Sequence, residues 1–206
     1  MAKEPYDVGS YNPDVTIDLD RIIFKHKQFG KGSRMLNKFL ETEINRGLDE
    51  LARRGEEYAK ARMLAYGITG ELYQNLKATR TKEGFQISTY ASNNLGFDYS
   101  MYVEFGTGLV GSQSPHPKAG MEGWVYNTEH IDSLGRVSSG WVYPSRPDDP
   151  NINKWVGSDG QLYAFTKGQA SKPFMYDTWK YLNGTWYRTL DGYVNRALKK
   201  WGDSFR

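Results

Sequence analysis

From Arg34 to Tyr66 the apolar residues Met35, Leu36, Phe39, Leu40, Ile44, Leu48, Leu51, Ala52, Tyr58, Ala59 and Met63 return at intervals of three and four. That spacing predicts one amphipathic helix roughly 50 Å long at 1.5 Å per residue, and its stripe must be covered along its whole length. Ser33 is placed to cap it and Gly67 to stop it. The opposite face, with Lys38, Glu41, Arg46, Glu50, Arg53, Glu57 and Lys60, reads as solvated. A second long stripe closes the chain: Met175, Trp179, Leu182, Trp186, Leu190, Tyr193, Val194, Ala197, Leu198 and Trp201. Ser171 is its candidate cap, Pro173 stands near its first turn, and Asn183-Gly184 predicts a kink or break. Two long helices, about 34–66 and 173–201, therefore frame the fold.

Between them the period changes. TGELYQNL reads as a short helix capped by Thr69, and ATRTKEGFQISTYA as a hairpin turning at Lys82 to Gly84, with Phe85, Ile87 and Thr89 on one face. DYSMYVEF is open between strand and helical turn. WVYNTEHIDSLG reads as a hairpin, GWVY recurs at 123–126 and 140–143 as two aromatic strands of a hairpin, and WVGSDGQLYAF turns at Ser158 to Gly160. The expected class is α+β: two long helices on an antiparallel sheet, with residues 33–206 a single domain carrying a Gly/Trp-rich hairpin insertion at about 109–160. Residues 1–32 read as an extended arm in which Val15, Ile17 and Leu19 alternate with Thr16, Asp18 and Asp20. This strand has two destinations, a sheet edge of an adjacent subunit or one in its own. The joint at Gly30 and Gly32 favours exchange.

FGTGLVGS, Phe105 to Ser112, has the G-x-G-x-x-G spacing of dinucleotide-binding loops. That chemistry needs a strand before the glycines and a helix after them, to present a helix N-terminus to a pyrophosphate. Pro115 and Pro117 argue against a following helix, and Glu129, near the distance of the expected acidic residue, sits in a hairpin pattern. No cofactor is expected. The histidines His26, His116 and His130 are far apart and read as surface residues, no metal-ligand spacing occurs, and nothing assembles a nucleophile, base and orienter. No catalytic residue is therefore assigned, and the chain is not expected to be an enzyme.

Composition narrows the classes further. The 206 residues contain no cysteine, so disulfides and thiolate chemistry are excluded. No stretch approaches a membrane span, and MAKEPYDVGS lacks the apolar core of a signal peptide, so the expectation is a protein that works where it is made. A net charge of +3 is too small to argue for nucleic acid by itself. The 15% aromatic content suits interfaces, sugar platforms or aromatic strands.

Three segments in order, TGELYQNL, YSMYVEFGTG and FTKGQASKPFMYDTW, resemble the neck or tail-completion proteins of long-tailed bacteriophages, the family typified by gene product ten of an HK-type lambdoid phage. The match covers about residues 33–200. It rests on Gly70-Glu71-Leu72, on Tyr102-Val103-Glu104-Phe105-Gly106-Thr107-Gly108, and on Lys167-Gly168-Gln169 followed by Pro173-Phe174-Met175. The resemblance implies a structural virion protein at the head–tail joint, assembled in the bacterial host cytoplasm. Its implied partners are further copies in a ring, the head–tail connector, and the tail terminator or tail tube, with passing contact with genomic DNA and none with membrane. Tyr102, Glu104, Phe105, Gly106, Thr107, Gly108, Gly168, Pro173 and Phe174 become interface or loop candidates, with Val15, Ile17 and Leu19 in the arm. Gly106 and Gly108 then belong to a tight loop in which Thr107 bonds nearby backbone, and Glu104 to a pair with a basic residue, an interface element if that residue is on the next subunit. Two other classes stay open: a nucleic-acid-binding module of basic and aromatic residues, and a carbohydrate-binding or hydrolytic domain using Asp148, Asp149 and Asp159.

Overall fold

The computed structural model describes residues 15–18 (backbone only), 34–82, 84–92, 98–131, 137–149 and 151–204. The fold is α+β, with small antiparallel sheets. The described residues divide into two compact units. One holds those up to Asp98 together with those from Phe174 onward, and the other is Tyr99–Pro173. The Gly- and Trp-rich stretch lies within the latter unit. The resemblance motif YVEFGTG falls inside the same unit.

The first unit is built on two helices, α1 (Arg34–Ala65) and α5 (Phe174–Asp203), with a one-turn helix α2 (Glu71–Asn75) between them in sequence. Their stripes meet antiparallel. Near one end Arg62 reaches Asp177, midway Tyr193 donates to Glu50, and near the other Lys200 donates to Glu43 at 2.6 Å. Leu48, Leu51, Ala59 and Met63 lose all exposure in this core, and Tyr58 stacks flat on Tyr181 with ring centroids 4.3 Å apart.

Two glycines set the spacing of this contact. A Cβ on Gly47 would lie 2.7 Å from Leu190 Cδ2 and 2.8 Å from Tyr193 Cδ2, and one on Gly55 would run into Ile87 Cδ1 and come within 3.0 Å of Leu182 Cδ1. Hydrophobic periodicity does not register them, because glycine carries no apolar side chain to count. Glu43 is the second surprise in the stripe. It is buried, and the Lys200 hydrogen bond, assisted by Arg46, outweighs burial and holds its carboxyl below the usual carboxylate range.

Strands β1 (Val15–Asp18), β2 (Lys77–Arg80) and β3 (Gly84–Ser88) form an antiparallel sheet in the order β1-β3-β2, and the central β3 buries the side chains of Phe85 and Ile87 completely. Val15 pairs opposite Ile87 and Ile17 opposite Phe85, so β1 takes the within-chain destination of the two that the sequence allows. Leu19 lies outside the described residues. Glu56 of α1 accepts the Ala78 amide at 2.9 Å, tying the helix to β2.

Three local expectations are corrected. The residue preceding α2 is Gly70 with φ 72°, not Thr69, and no side chain caps that helix. Helix α5 runs unbroken through Asn183-Gly184, which lie on its exposed face. One exposed helical glycine costs about 1 kcal/mol, less than the roughly 1.5–3 kcal/mol that burying Leu182 or Leu190 on either side contributes. Finally, the two GWVY copies do not pair. In the second unit β6 (Trp141–Pro144) pairs with β8 (Leu162–Thr166), which pairs with β7 (Lys154–Val156), while Trp124 to Tyr126 form no strand. Of the hairpin read in WVYNTEHIDSLG, the described residues hold the two-residue strand β4 (His130–Ile131), which pairs with β5 (Val137–Ser138) beyond that segment.

The glycine contrast is testable by thermal and denaturant unfolding. Gly47→Ala and Gly55→Ala should each destabilise by about 1–2 kcal/mol despite better helix propensity, because overpacking outweighs it. Gly184→Ala, with nothing within 4 Å of its Cβ, should stabilise by about 0.5–1 kcal/mol. Equal effects at the three positions would contradict the close approach of the two helices.

Candidate functional site: a glycine-locked loop and an aromatic cleft

YVEFGTG is helical where the sequence left strand and helix open. Helix α3 (Ser100–Phe105) ends at Gly106 with φ 79°, Thr107 is extended, and Gly108 with φ 61° opens α4 (Gly108–Gln113). A short helix therefore does follow the glycines, contrary to expectation: Pro115 and Pro117 stand beyond its end and do not prevent its start. The preceding element is a helix, not a strand. The βαβ context of a dinucleotide loop is absent from these residues.

All three glycines of the G-x-G-x-x-G spacing are instead accounted for by packing. Strand β9 (Gly168–Gln169) runs antiparallel to the loop, with bridges Thr107 to Gln169 and Gly108 to Gly168. A Cβ on Gly106 would lie 2.6 Å from Ser171 N and 2.7 Å from Gln169 O; on Gly108, 2.6 Å from Lys167 O; on Gly111, 3.0 Å from Gln169 O and Tyr126 Cδ1. Gly168 has φ 100°, and a Cβ there would collide with Thr107 O. Hydrogen bonds complete the lock. The Gln169 amide donates to Thr107 Oγ1 at 3.2 Å, Gln169 Nε2 to Tyr102 O at 2.9 Å, Ser171 Oγ to Glu104 O at 2.6 Å, and the Lys172 amide to Val103 O at 3.1 Å. Ser171, read from the sequence as a helix cap, spends its hydroxyl here.

Under the loop lies a buried pair that the sequence reading missed. Glu104 and His116 keep 1% and 2% of their exposure, and His116 Nε2 lies 3.2 Å from Glu104 Oε1. The Lys118 amide donates to His116 Nδ1 at 3.0 Å, which requires Nδ1 to be unprotonated and places the proton on Nε2, facing the carboxylate. One expectation is thus corrected: His116 is a core residue rather than a surface one. Glu104 meets a basic residue, as the resemblance allows, and this one belongs to the same chain. The sequence signal was Pro115-His116-Pro117, a histidine between two residues of fixed φ, in range of the loop only once the chain folds back.

Phe105 meets His116 at a tilt (centroids 4.2 Å apart) and stacks on Trp124 (4.9 Å), Trp124 Nε1 donates to Gly106 O at 3.1 Å, and Tyr126 hydroxyl donates to Phe105 O at 2.9 Å. The His116 amide in turn donates to Tyr126 hydroxyl at 3.0 Å. The cluster holds backbone.

Beside the lock opens a cleft of about 370 Å³ walled by Tyr102, Trp124 and Trp141, floored by Gly106, Thr107 and Gly108, and rimmed by Asn127, Glu129 and His130. The tryptophans of both GWVY copies thus reach one cleft although the copies do not pair. Tyr102 and Trp124 meet at 72° with centroids 5.4 Å apart. Pro173 and Phe174 are not part of this lining; Phe174 is buried and opens α5 in the first unit.

Of the carboxylates named for a hydrolytic site, Asp148 is exposed, and Asp149 and Asp159 each accept hydrogen bonds from their own loop. Asp149 accepts from Tyr143 and Ser145 hydroxyls on one oxygen and from the Asn151 amide on the other, and the Asn151 amide foremost holds its carboxyl below the usual range. Asp159 accepts from Tyr163 hydroxyl and the Gln161 amide in the β7–β8 turn. Both staple loops. Among the described residues no group of three or more potential ligands could hold a metal ion, and no helix is long and apolar enough to cross a membrane.

No family model matches the chain, and no curated protein or solved structure is significantly similar to it.

The lock makes a specific demand on backbone. Gly106→Ala and Gly168→Ala should each cost about 2–4 kcal/mol, since positive φ and collision with backbone act together. Gly123→Ala, with φ 65° but open space around its Cβ, should cost only about 1 kcal/mol. Unfolding curves for the three variants that superimpose would contradict the lock.

Proposed function

We propose that the chain is a structural protein of the head–tail joint of a long-tailed bacteriophage, a neck or tail-completion component acting by oligomerisation and contact with connector and tail proteins. The observation that carries this reading is that two of the segments on which the resemblance rests, Tyr102–Gly108 and Lys167–Gln169, lie against each other in the lock although about 60 residues separate them. Segments that are distant in sequence and matched in order acquire a common physical reason: each is needed to close the other. The two long helices beside an antiparallel sheet suit the fold that the family reading expects. The use of Glu104, His116, Asp149 and Asp159 as local hydrogen-bond partners favours a scaffold over a hydrolase.

The test is genetic and visual. Particles assembled from a genome in which this reading frame is stopped early should accumulate as DNA-filled heads and separate tails by electron microscopy, and the parent chain supplied in trans should restore joined virions. Normal joined particles in its absence would overturn the assignment.

A further inference from the structure

The cleft beside the lock has three aromatic walls, one carboxylate and no lysine or arginine in its lining. Glu129 is exposed and has no hydrogen bond or ion pair among the described residues. Aromatic faces attract a cation through the ring quadrupole when it sits within about 6 Å, most strongly for tryptophan, and an adjacent carboxylate adds direct attraction. The chemistry of the cleft therefore suits a guanidinium or ammonium group.

The same unit carries a cation with nowhere to go. Arg146 is exposed and makes no side-chain hydrogen bond, ion pair or ring contact among the described residues. Within one copy it is at the wrong end of the sheet. Trp141 opens β6 against Thr166, the ladder continues past Pro144 to a Ser145 amide bond with Leu162 O, and Arg146 follows. Five residue steps of extended chain separate the two by about 17 Å, farther than the side chain extends. Complementary groups this far apart in one copy satisfy each other between copies, head to tail, and such a contact builds a ring when its rotation closes.

We propose that the Trp124–Trp141 cleft is a self-docking site that takes the Arg146 guanidinium of a second copy of this chain, with Glu129 as its counter-ion. This rests on the self-association in the proposed function and names the contact that produces it. Tyr102, named from the sequence as an interface candidate, then contributes a wall of the cleft, while Glu104, Phe105 and the glycines hold its floor.

The experiment is sedimentation equilibrium of the full chain, with indole N–H signals of 15N-labelled protein recorded across the same concentrations. The parent should self-associate with concentration-dependent shifts of the Trp124 and Trp141 indoles. Arg146→Gln and Glu129→Gln should each weaken association at least about tenfold, the cost of a lost charged partner in an interface, and abolish those shifts. Arg146→Lys should retain most of the association, and Arg188→Gln, an exposed position of the other unit, should match the parent. A parent that stays monomeric throughout, or association that persists unchanged in Arg146→Gln and Glu129→Gln, overturns the proposal. A monomeric parent would also remove oligomerisation from the proposed function, whereas unchanged association in the two variants would refute this contact alone; whether heads and tails join without the protein is a separate readout.

Discussion

The second unit depends on one close approach of backbone to backbone. Gly106, Gly108 and Gly111 face Lys167–Ser171 at distances that leave no room for a β-carbon, and three of the participating glycines, Gly106, Gly108 and Gly168, hold positive φ. Because the two strands of this contact lie near the start and end of the unit in sequence, closing it fixes both ends of a chain segment of about 75 residues whose own sheets are only two and three strands. Small sheets of this kind have limited stability alone. The lock supplies the closure that they lack, and the Glu104–His116 pair and the Phe105–Trp124 stack sit directly against it.

The first unit solves a similar problem with different means. There α1 and α5 bury long stripes, and Gly47 and Gly55 let side chains of α5 and β3 nest into α1. The ion pairs along the helix pair, from Arg62–Asp177 to Lys200–Glu43, set antiparallel register more than they add stability, since their cationic partners remain a third to a half exposed. In both units glycine marks where another part of the chain comes closest. In neither is it there for flexibility.

What could be read from the sequence follows from which physical signals are local. Helical periodicity located α1 and α5 because each is long enough for its stripe to be unambiguous, and turn chemistry located the β2–β3 and β7–β8 hairpins, where Gly84 and Gly160 sit at or beside the turns. The GWVY copies misled because alternation and aromatic content describe a strand but not its partner. Trp124 serves as a hydrogen-bond donor to Gly106 O and Trp141 as a strand residue over Gly108. His116 was read as a surface residue because the acceptor that buries it, Glu104, lies twelve residues away across the loop. The cleft was not legible at all, since its lining spans Tyr102 to Trp141 in four separate segments. The glycine loop was legible as a loop, but the reason for each glycine lies in residues 167–171, far along the chain.

The central claim is that residues 102–108 and 167–172 form one rigid closure, and native-state hydrogen exchange tests it most directly. The amides of Gln169 and Lys172, donating to Thr107 Oγ1 and Val103 O, and that of Val110, donating to Lys167 O, should exchange at least about a thousandfold slower than in an unstructured peptide. They should also gain and lose protection together, as one cooperative element. Exchange of these amides at unstructured-peptide rates, while the helix pair α1–α5 remains protected, would contradict the account.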